Sequence, residues 1–202
     1  MYLSKSIERL VHEFAKLPGV GKKTAFRYTL HLLKNSHEEN DFFSKCIHEL
    51  KLNIKYCKVC QSPNDEDTCS ICLNDRRNHL QICVIESYKD LIAIENTNQF
   101  FGVYHVLGGV ISPIDGIGPN DLKISELVHR VDEHTELIMA LNPTIEGDTT
   151  IYYITNLIKN RGAKVTTISR GVAFGSELEY TDDLTLGRSI HARQPYDQMI
   201  NK

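Results

Sequence analysis

Leu17-Pro18-Gly19-Val20-Gly21-Lys22-Lys23-Thr24-Ala25 separates two helices at the start of the chain and sets what lies between them. Before it, Leu3, Ile7, Leu10, Val11, Phe14 and Leu17 recur at helical spacing, and after it Ala25, Tyr28, Thr29, Leu32 and Leu33 do the same. Pro18 stops the first helix, and Gly19 and Gly21 reach backbone angles closed to other residues. The second helix then begins with unpaired amide N–H groups and the positive end of its dipole forward. Lys22, Lys23 and Arg27 add side-chain charge beside that end. Such a turn suits a phosphate, and a contact made through the backbone binds nucleic acid without reading its sequence.

The pattern resembles the helix–hairpin–helix of DNA-binding proteins, whose core reads apolar-x-Gly-apolar-Gly-x-x-x-Ala. The plainer alternative is a helical hairpin with a glycine turn. A nucleotide P-loop is excluded, because it needs a glycine where Lys16 stands and a strand before the turn.

Working outward, His37-Glu38-Glu39-Asn40-Asp41 reads as a polar break. Phe42, Phe43, Cys46, Ile47, Leu50 and Ile54 then give a third helix, with Cys46 on its apolar face as a small buried hydrophobe. Next come Cys57-Lys58-Val59-Cys60 and, eight residues on, Cys69-Ser70-Ile71-Cys72. Each pair curls so that both sulfurs face one point, and Cys57, Cys60, Cys69 and Cys72 together make a closed tetrahedral zinc site. Four protein ligands leave no open position, so one structural Zn²⁺ per chain is expected. The polar loop between the pairs makes no core, and the metal supplies the folding energy there. A pair of thioredoxin-like motifs fits less well, since neither pair opens a helix after a strand.

The bulk of the sequence agrees with this division. Its 202 residues, 41% of them hydrophobic, suffice for one large domain or two small ones. No run reaches signal-peptide length or the roughly 18 apolar residues of a membrane span, so a cytoplasmic, membrane-free protein is expected. Net charge is -3, but residues 1–56 hold ten Lys and Arg against six Asp and Glu, while the remainder is acidic. A basic head on an acidic body fits DNA contact at one end and another partner for the body. Six cysteines in a cytoplasmic chain favour metal over disulfides.

From Gln81 the texture changes. Ile82-Cys83-Val84-Ile85 reads as a strand buried on both faces, with Cys83 in the core. A helix around Leu91, Ile92 and Ile94 follows, then a strand over Tyr104–Leu107, a helix from Asp121 to Asp132 and a strand over Leu137–Leu141. A helix from Thr149 to Lys159 and a strand over Lys164–Ile168 complete the alternation. This alternation predicts right-handed crossovers and a mainly parallel sheet. The remainder reads as glycine-rich and irregular, with a charged tail from His191. Ligands of such sheets gather at the carboxyl ends of the strands. Glu86 ends the first strand, and Asn142-Pro143-Thr144-Ile145-Glu146-Gly147-Asp148 follows the third. Glu86, Glu146 and Asp148 are therefore expected to converge, as oxygen ligands for Mg²⁺ would. Equally, Glu146 and Asp148 suit the dipole at a helix start.

A strand ending in Glu, with two acids one residue apart after a later strand, resembles a Toprim domain, found in topoisomerases and primases that hold Mg²⁺. The whole order is narrower: helix–hairpin–helix, four-cysteine site, Toprim, glycine-rich tail. With Ser112-Pro113-Ile114-Asp115-Gly116-Ile117-Gly118-Pro119, the Asn142–Asp148 stretch and Glu177-Leu178-Glu179-Tyr180, nearly the whole chain resembles the bacterial RecR family. The fold so implied is α+β. It comprises a helical DNA-binding region at 1–56, a small zinc-ribbon-like element at 57–72, an α/β Toprim domain at 80–170, and a C-terminal segment at 171–202 used in subunit contacts.

The resemblance also implies a non-catalytic mediator of recombinational repair. It would act with RecO and RecF to help load RecA onto single-stranded DNA coated by single-strand-binding protein. Family members form ring-like homotetramers that encircle single- or double-stranded DNA. Their DNA-facing positions map here to Gly19, Gly21, Lys22, Lys23 and Arg27, and their RecO surface to Glu86, Asp90, Glu146 and Asp148. Mg²⁺ at those acids is compatible with the family but not required. A small Mg²⁺-dependent Toprim nuclease is the alternative, since metal plus water suffices for it. Tyr88 and Ala173 stand where the family often has Pro, Asp148 stands where Glu is common, and the tail after Ile190 outruns the usual ending.

Overall fold

The computed structural model describes residues 4–193 and Pro195. It divides into two compact units, Met1–Ile54 and Lys55–Lys202. The first holds three helices: α1 Lys5–Phe14, α2 Lys22–Leu32 and α3 His37–Asn53. Ser4 caps α1. The α1–α2 hairpin closes around Ala25 and Thr29, with Phe14 and Tyr28 meeting edge-to-face at 5.7 Å between centroids. The polar stretch expected to break the chain instead starts α3. Ser36 accepts the Glu39 N–H while the Glu39 carboxylate accepts the Ser36 N–H, a reciprocal cap that a composition-based reading takes for a loop. Cys46 is exposed rather than buried, because no residue of α3 is buried in this chain.

The second unit opens with a two-stranded antiparallel ribbon, β1 Lys55–Tyr56 and β2 Pro63–Asn64, and a one-turn helix, α4 Ser70–Leu73. Then follow β3 Asn78–Ile85, α5 Tyr88–Glu95, β4 Gly102–Val106, α6 Ile124–Val128, β5 Glu136–Met139, α7 Ile145–Ile158 and β6 Lys164–Thr167. The four longer strands form one parallel sheet in the order β4-β3-β5-β6. β3 carries the continuous apolar run that burial on both faces demands. Ile82 and Val84 join the larger core with Leu127, Leu137, Met139 and Ile154, while Cys83 and Ile85 pack on the other face with Leu91, Tyr104 and Val106.

Two expected helices have different limits, and one helix was not expected. The Asp121–Asp132 helix is only α6, preceded by a 3₁₀ turn at Pro119–Asp121. α7 starts four residues earlier than Thr149, at a cap formed by Thr144, whose hydroxyl accepts the Gly147 N–H at 3.0 Å. The segment read as irregular contains α8, Asp183–His191, capped by Asp182. Its signal was a capping aspartate before a weakly apolar stretch. The chain after His191 lies mostly outside the described residues.

Candidate metal centre and nucleic-acid interface

The four cysteines meet as their spacing predicts. Cys57, Cys60, Cys69 and Cys72 bring one sulfur each to within 4.8 Å of one another, and the first three are buried. The first pair sits on a tight knuckle. Cys57 N–H donates to Ser62 O at 2.8 Å and Gln61 N–H to Cys57 O at 2.9 Å, while Gln61 takes a left-handed φ of 63°. The second pair straddles the start of α4, so Cys69 caps a helix after all, though one of a single turn. Polar groups already point at the sulfurs. Cys69 N–H donates to Cys57 Sγ at 3.3 Å, and Ser62 Oγ lies 3.1 Å from Cys60 Sγ. A hydrogen bond with Cys69 pushes the Cys60 thiol up to about 11, Cys60 and Cys69 push Cys72 higher still, and Cys69 is pulled down by its bond to Cys60. Four sulfurs this close share protons unequally, and a divalent cation replaces those protons. The donor set, its closure and its burial fit Zn²⁺ held by all four residues.

In the first unit, Gly19 has φ 76°, which explains its residue type. Gly21 caps α2 with ordinary extended angles and no side-chain bond to the first turn. A Cβ at either glycine would meet nothing within 4 Å, so the approach to the first-turn N–H groups is open. Lys22, Lys23 and Arg27 are exposed, α2 has no acid in its first turn, and none of the three forms an ion pair among the described residues. The arrangement offers directed N–H groups and free cations to an anion.

The acids of the sheet edge are placed differently from the expectation. Glu86 follows β3 and Asn142 follows β5, at the point where the strand order reverses and where such sheets bind ligands. That crevice is clasped shut: Asn142 N–H and Nδ2 donate to the two Glu86 oxygens at 2.6 and 2.9 Å. Asp90 accepts the Ser87 N–H and hydroxyl, each at 2.8 Å, as part of the α5 cap. Asp148 accepts a bond from Arg170 Nη1. Glu146 is half-buried in the first turn of α7. Among the described residues the four cysteines are the only His, Cys, Asp or Glu group close enough to share a metal, so the convergence expected of Glu86, Glu146 and Asp148 is not seen. Glu86 and Asp148 were legible, but their partners were not, because Asn142 and Arg170 lie 56 and 22 residues away.

Comparison with known proteins resolves what these parts belong to. Family models match in succession: the RecR helix-hairpin-helix over residues 7–51, the RecR four-cysteine zinc finger domain over 54–74, the Toprim domain over 81–169 and the RecR C-terminal region over 171–194. A protein named Recombination protein RecR from Cytophaga hutchinsonii is 48% identical over 197 residues, covering 96% of each chain. One of that name from Phocaeicola vulgatus is 52% identical over 191 residues, 94% of this chain and 93% of its own. One from Flavobacterium johnsoniae is 48% identical over 199 residues, 98% and 97%.

The chain belongs to the RecR family. It is therefore a recombination and repair protein with helix–hairpin–helix, four-cysteine zinc-finger and Toprim parts. No helix among the described residues is long and apolar enough to cross a membrane. In this RecR chain the Toprim sheet keeps its parallel order, while at least three of its edge acids are engaged by the protein's own donors.

Proposed function

We propose that the protein is a non-catalytic, sequence-independent DNA clamp of the cytoplasm that mediates recombinational repair. The observation that carries this reading is the uncapped start of α2, with Lys22, Lys23 and Arg27 exposed around an open glycine turn. Backbone N–H groups and three cations bind phosphates of single- or double-stranded DNA weakly and in a salt-sensitive way. A closed ring of four chains then retains the DNA by topology. The exposed apolar residues of α3 supply subunit contact in the first unit, and the segment after residue 170 supplies it in the second. The zinc holds the ribbon at the start of the second unit as a structural element.

The edge acids Glu86, Asp90, Glu146 and Asp148 act here as a surface for RecO, with RecF joining the assembly and RecA loaded onto coated single strands. Because Glu86, Asp90 and Asp148 already accept bonds from protein donors, their geometry favours surface display over metal catalysis. Replacing Glu146 with Ala should weaken RecO in a calorimetric titration without changing zinc content.

The deciding experiment incubates the zinc-loaded protein with plasmid and single-stranded DNA, with and without Mg²⁺, scoring binding and strand cleavage together. Binding without any cut product is expected, and it should vanish when Lys22, Lys23 and Arg27 are all replaced by Ala. Mg²⁺-dependent cleavage lost in Glu146→Ala would make the protein a Toprim nuclease instead.

A further inference from the structure

The outer edge of β4 carries an arrangement that neither the family's parts nor the sequence announces. β4 is the last strand of the sheet on one side, and an exposed edge would leave its polar groups unpaired. Two neighbours cover it. The first knuckle of the four-cysteine site docks there, with Val106 N–H donating to Cys60 O at 2.8 Å. Two residues away on the same edge, Arg130 Nη1 donates to Tyr104 O at 2.8 Å. Two residues along a strand span about 7 Å, so the guanidinium and the knuckle lie side by side. The same Nη1 lies 3.1 Å from His105 Nδ1, and His105 Nε2 lies 2.7 Å from Lys123 O. A guanidinium only donates, so Nδ1 accepts, and His105 must carry its proton on Nε2, donating it to Lys123 O. His105 is fully buried and thereby fixes the direction of Arg130.

Arg130 is half-buried and forms no ion pair with a carboxylate among the described residues. A cation placed that way is costly unless something negative answers it. The negative group beside it is the four-cysteine site, whose zinc complex carries a net charge of -2. Burial works against the charge of Arg130, and Cys72, Cys60, Cys57 and Cys69 all work in its favour. We propose that Arg130 is the internal counter-cation of the zinc site, aimed by His105, and that it couples the zinc element to the edge of the Toprim sheet. It is a positioning residue: it touches no metal, and it acts by neutralising the thiolates and by holding β4 against the knuckle.

The test uses the full-length, zinc-loaded protein and a chromophoric zinc chelator in competition, with alkylation of the cysteines by iodoacetamide as a second readout. Arg130→Met keeps an unbranched apolar stem and removes the guanidinium with its charge. It should weaken zinc retention about tenfold to a hundredfold, the usual cost of losing a group just outside the ligands. Its zinc-bound thiolates, no longer neutralised, should alkylate faster. Arg130→Lys keeps the charge and should hold zinc within about threefold of wild type, by the same scale. A Met variant that holds zinc and resists alkylation like wild type overturns the proposal. So does a Lys variant that loses as much zinc as the Met variant, since packing alone would then explain both. If Arg130→Met does not fold, Arg130→Lys decides: retention within threefold supports the proposal, and any larger loss overturns it.

Discussion

Glu95, the last residue of α5, shows how single side chains hold the sheet to its helices. Arg77 donates from both terminal nitrogens to its two oxygens, at 2.8 and 2.6 Å, and the buried Tyr104 hydroxyl donates at 2.6 Å. Arg77 also reaches the carbonyls of Phe100 and Gly102, so one carboxylate ties α5 to the approaches of β3 and β4. With side chains only 16% and 25% exposed, the Arg77–Glu95 pair is largely desolvated, and stranding the guanidinium should be expensive. Glu95→Gln should cost about 2 kcal/mol at pH 7, between the cost for an exposed pair and that for a fully buried one because some water remains. The bonds from Arg77 hold the Glu95 carboxyl below its usual range. Its contribution is therefore complete above the unfolded pKa, about 4.3, and is lost as pH falls through the depressed folded value. Urea titrations of both proteins should show the gap narrowing below about pH 4, and a gap that stays constant would sink the assignment. None of these partners was legible beforehand. The cysteines announced themselves by local spacing, whereas Arg77, Arg130, Asn142 and Arg170 find their partners across the fold and leave no local pattern.

Elements were legible where one force dominated. The four long strands have the apolar runs of doubly covered strands, and the helices between them have clear periodicity, so the parallel sheet followed from alternation. Most of the elements misread are set by caps: the start of α3 by Ser36 and Glu39, that of α7 by Thr144, and α8 by Asp182; the helix expected over Asp121–Asp132 is the exception, since only Ile124–Val128 is α-helical. Their polar first turns resemble loops in composition, and only the reciprocal bonds separate the two. The hairpin turn offers a test at this scale, because its two glycines serve different ends. Gly19 is left-handed, so Gly19→Ala should cost about 1 kcal/mol of stability. Gly21 has φ -77° and open space around it, so Gly21→Ala should cost no more than about half that, the difference between Gly and Ala as caps. If phosphate approaches the α2 N–H groups, the added methyl at Gly21 stands in its way. Denaturation and DNA gel-shift titrations should then split the pair: Gly21→Ala loses DNA binding beyond any loss of stability. Full-strength binding by a stable Gly21→Ala protein would remove the backbone contact from the interface.

At the scale of the molecule, apolar surface and its cover are out of balance. The second unit encloses its core on both faces of a sheet. The first unit buries only Ala25 and Thr29 among its described residues, while Phe42, Ile47 and Leu50 on α3 stay 71%, 59% and 65% exposed. A groove of about 460 Å³ lined by Leu10, Phe14, Leu17, Leu32, Phe43 and Ile47 lies open within this unit. The sequence showed the apolar face of α3 but not what covers it, since periodicity reports which residues avoid water and says nothing of whose surface they meet. So small a unit has little core to spare, and contiguous apolar surface of this kind marks an interaction site. In the ring reading, the cover is another copy of the chain. Folding of the first unit is then linked to assembly, and its thermal midpoint should rise with protein concentration. Charges placed on the exposed face, as in Phe42→Asp with Ile47→Glu, remove the driving force without touching the cysteines or the sheet. The double variant should lose the ring and run no larger than a dimer held by the segment after residue 170, as read by light scattering, retain its zinc, and lose the concentration dependence of the first unit's transition. An unchanged mass for that variant would place the subunit contact elsewhere and leave α3 to a different partner.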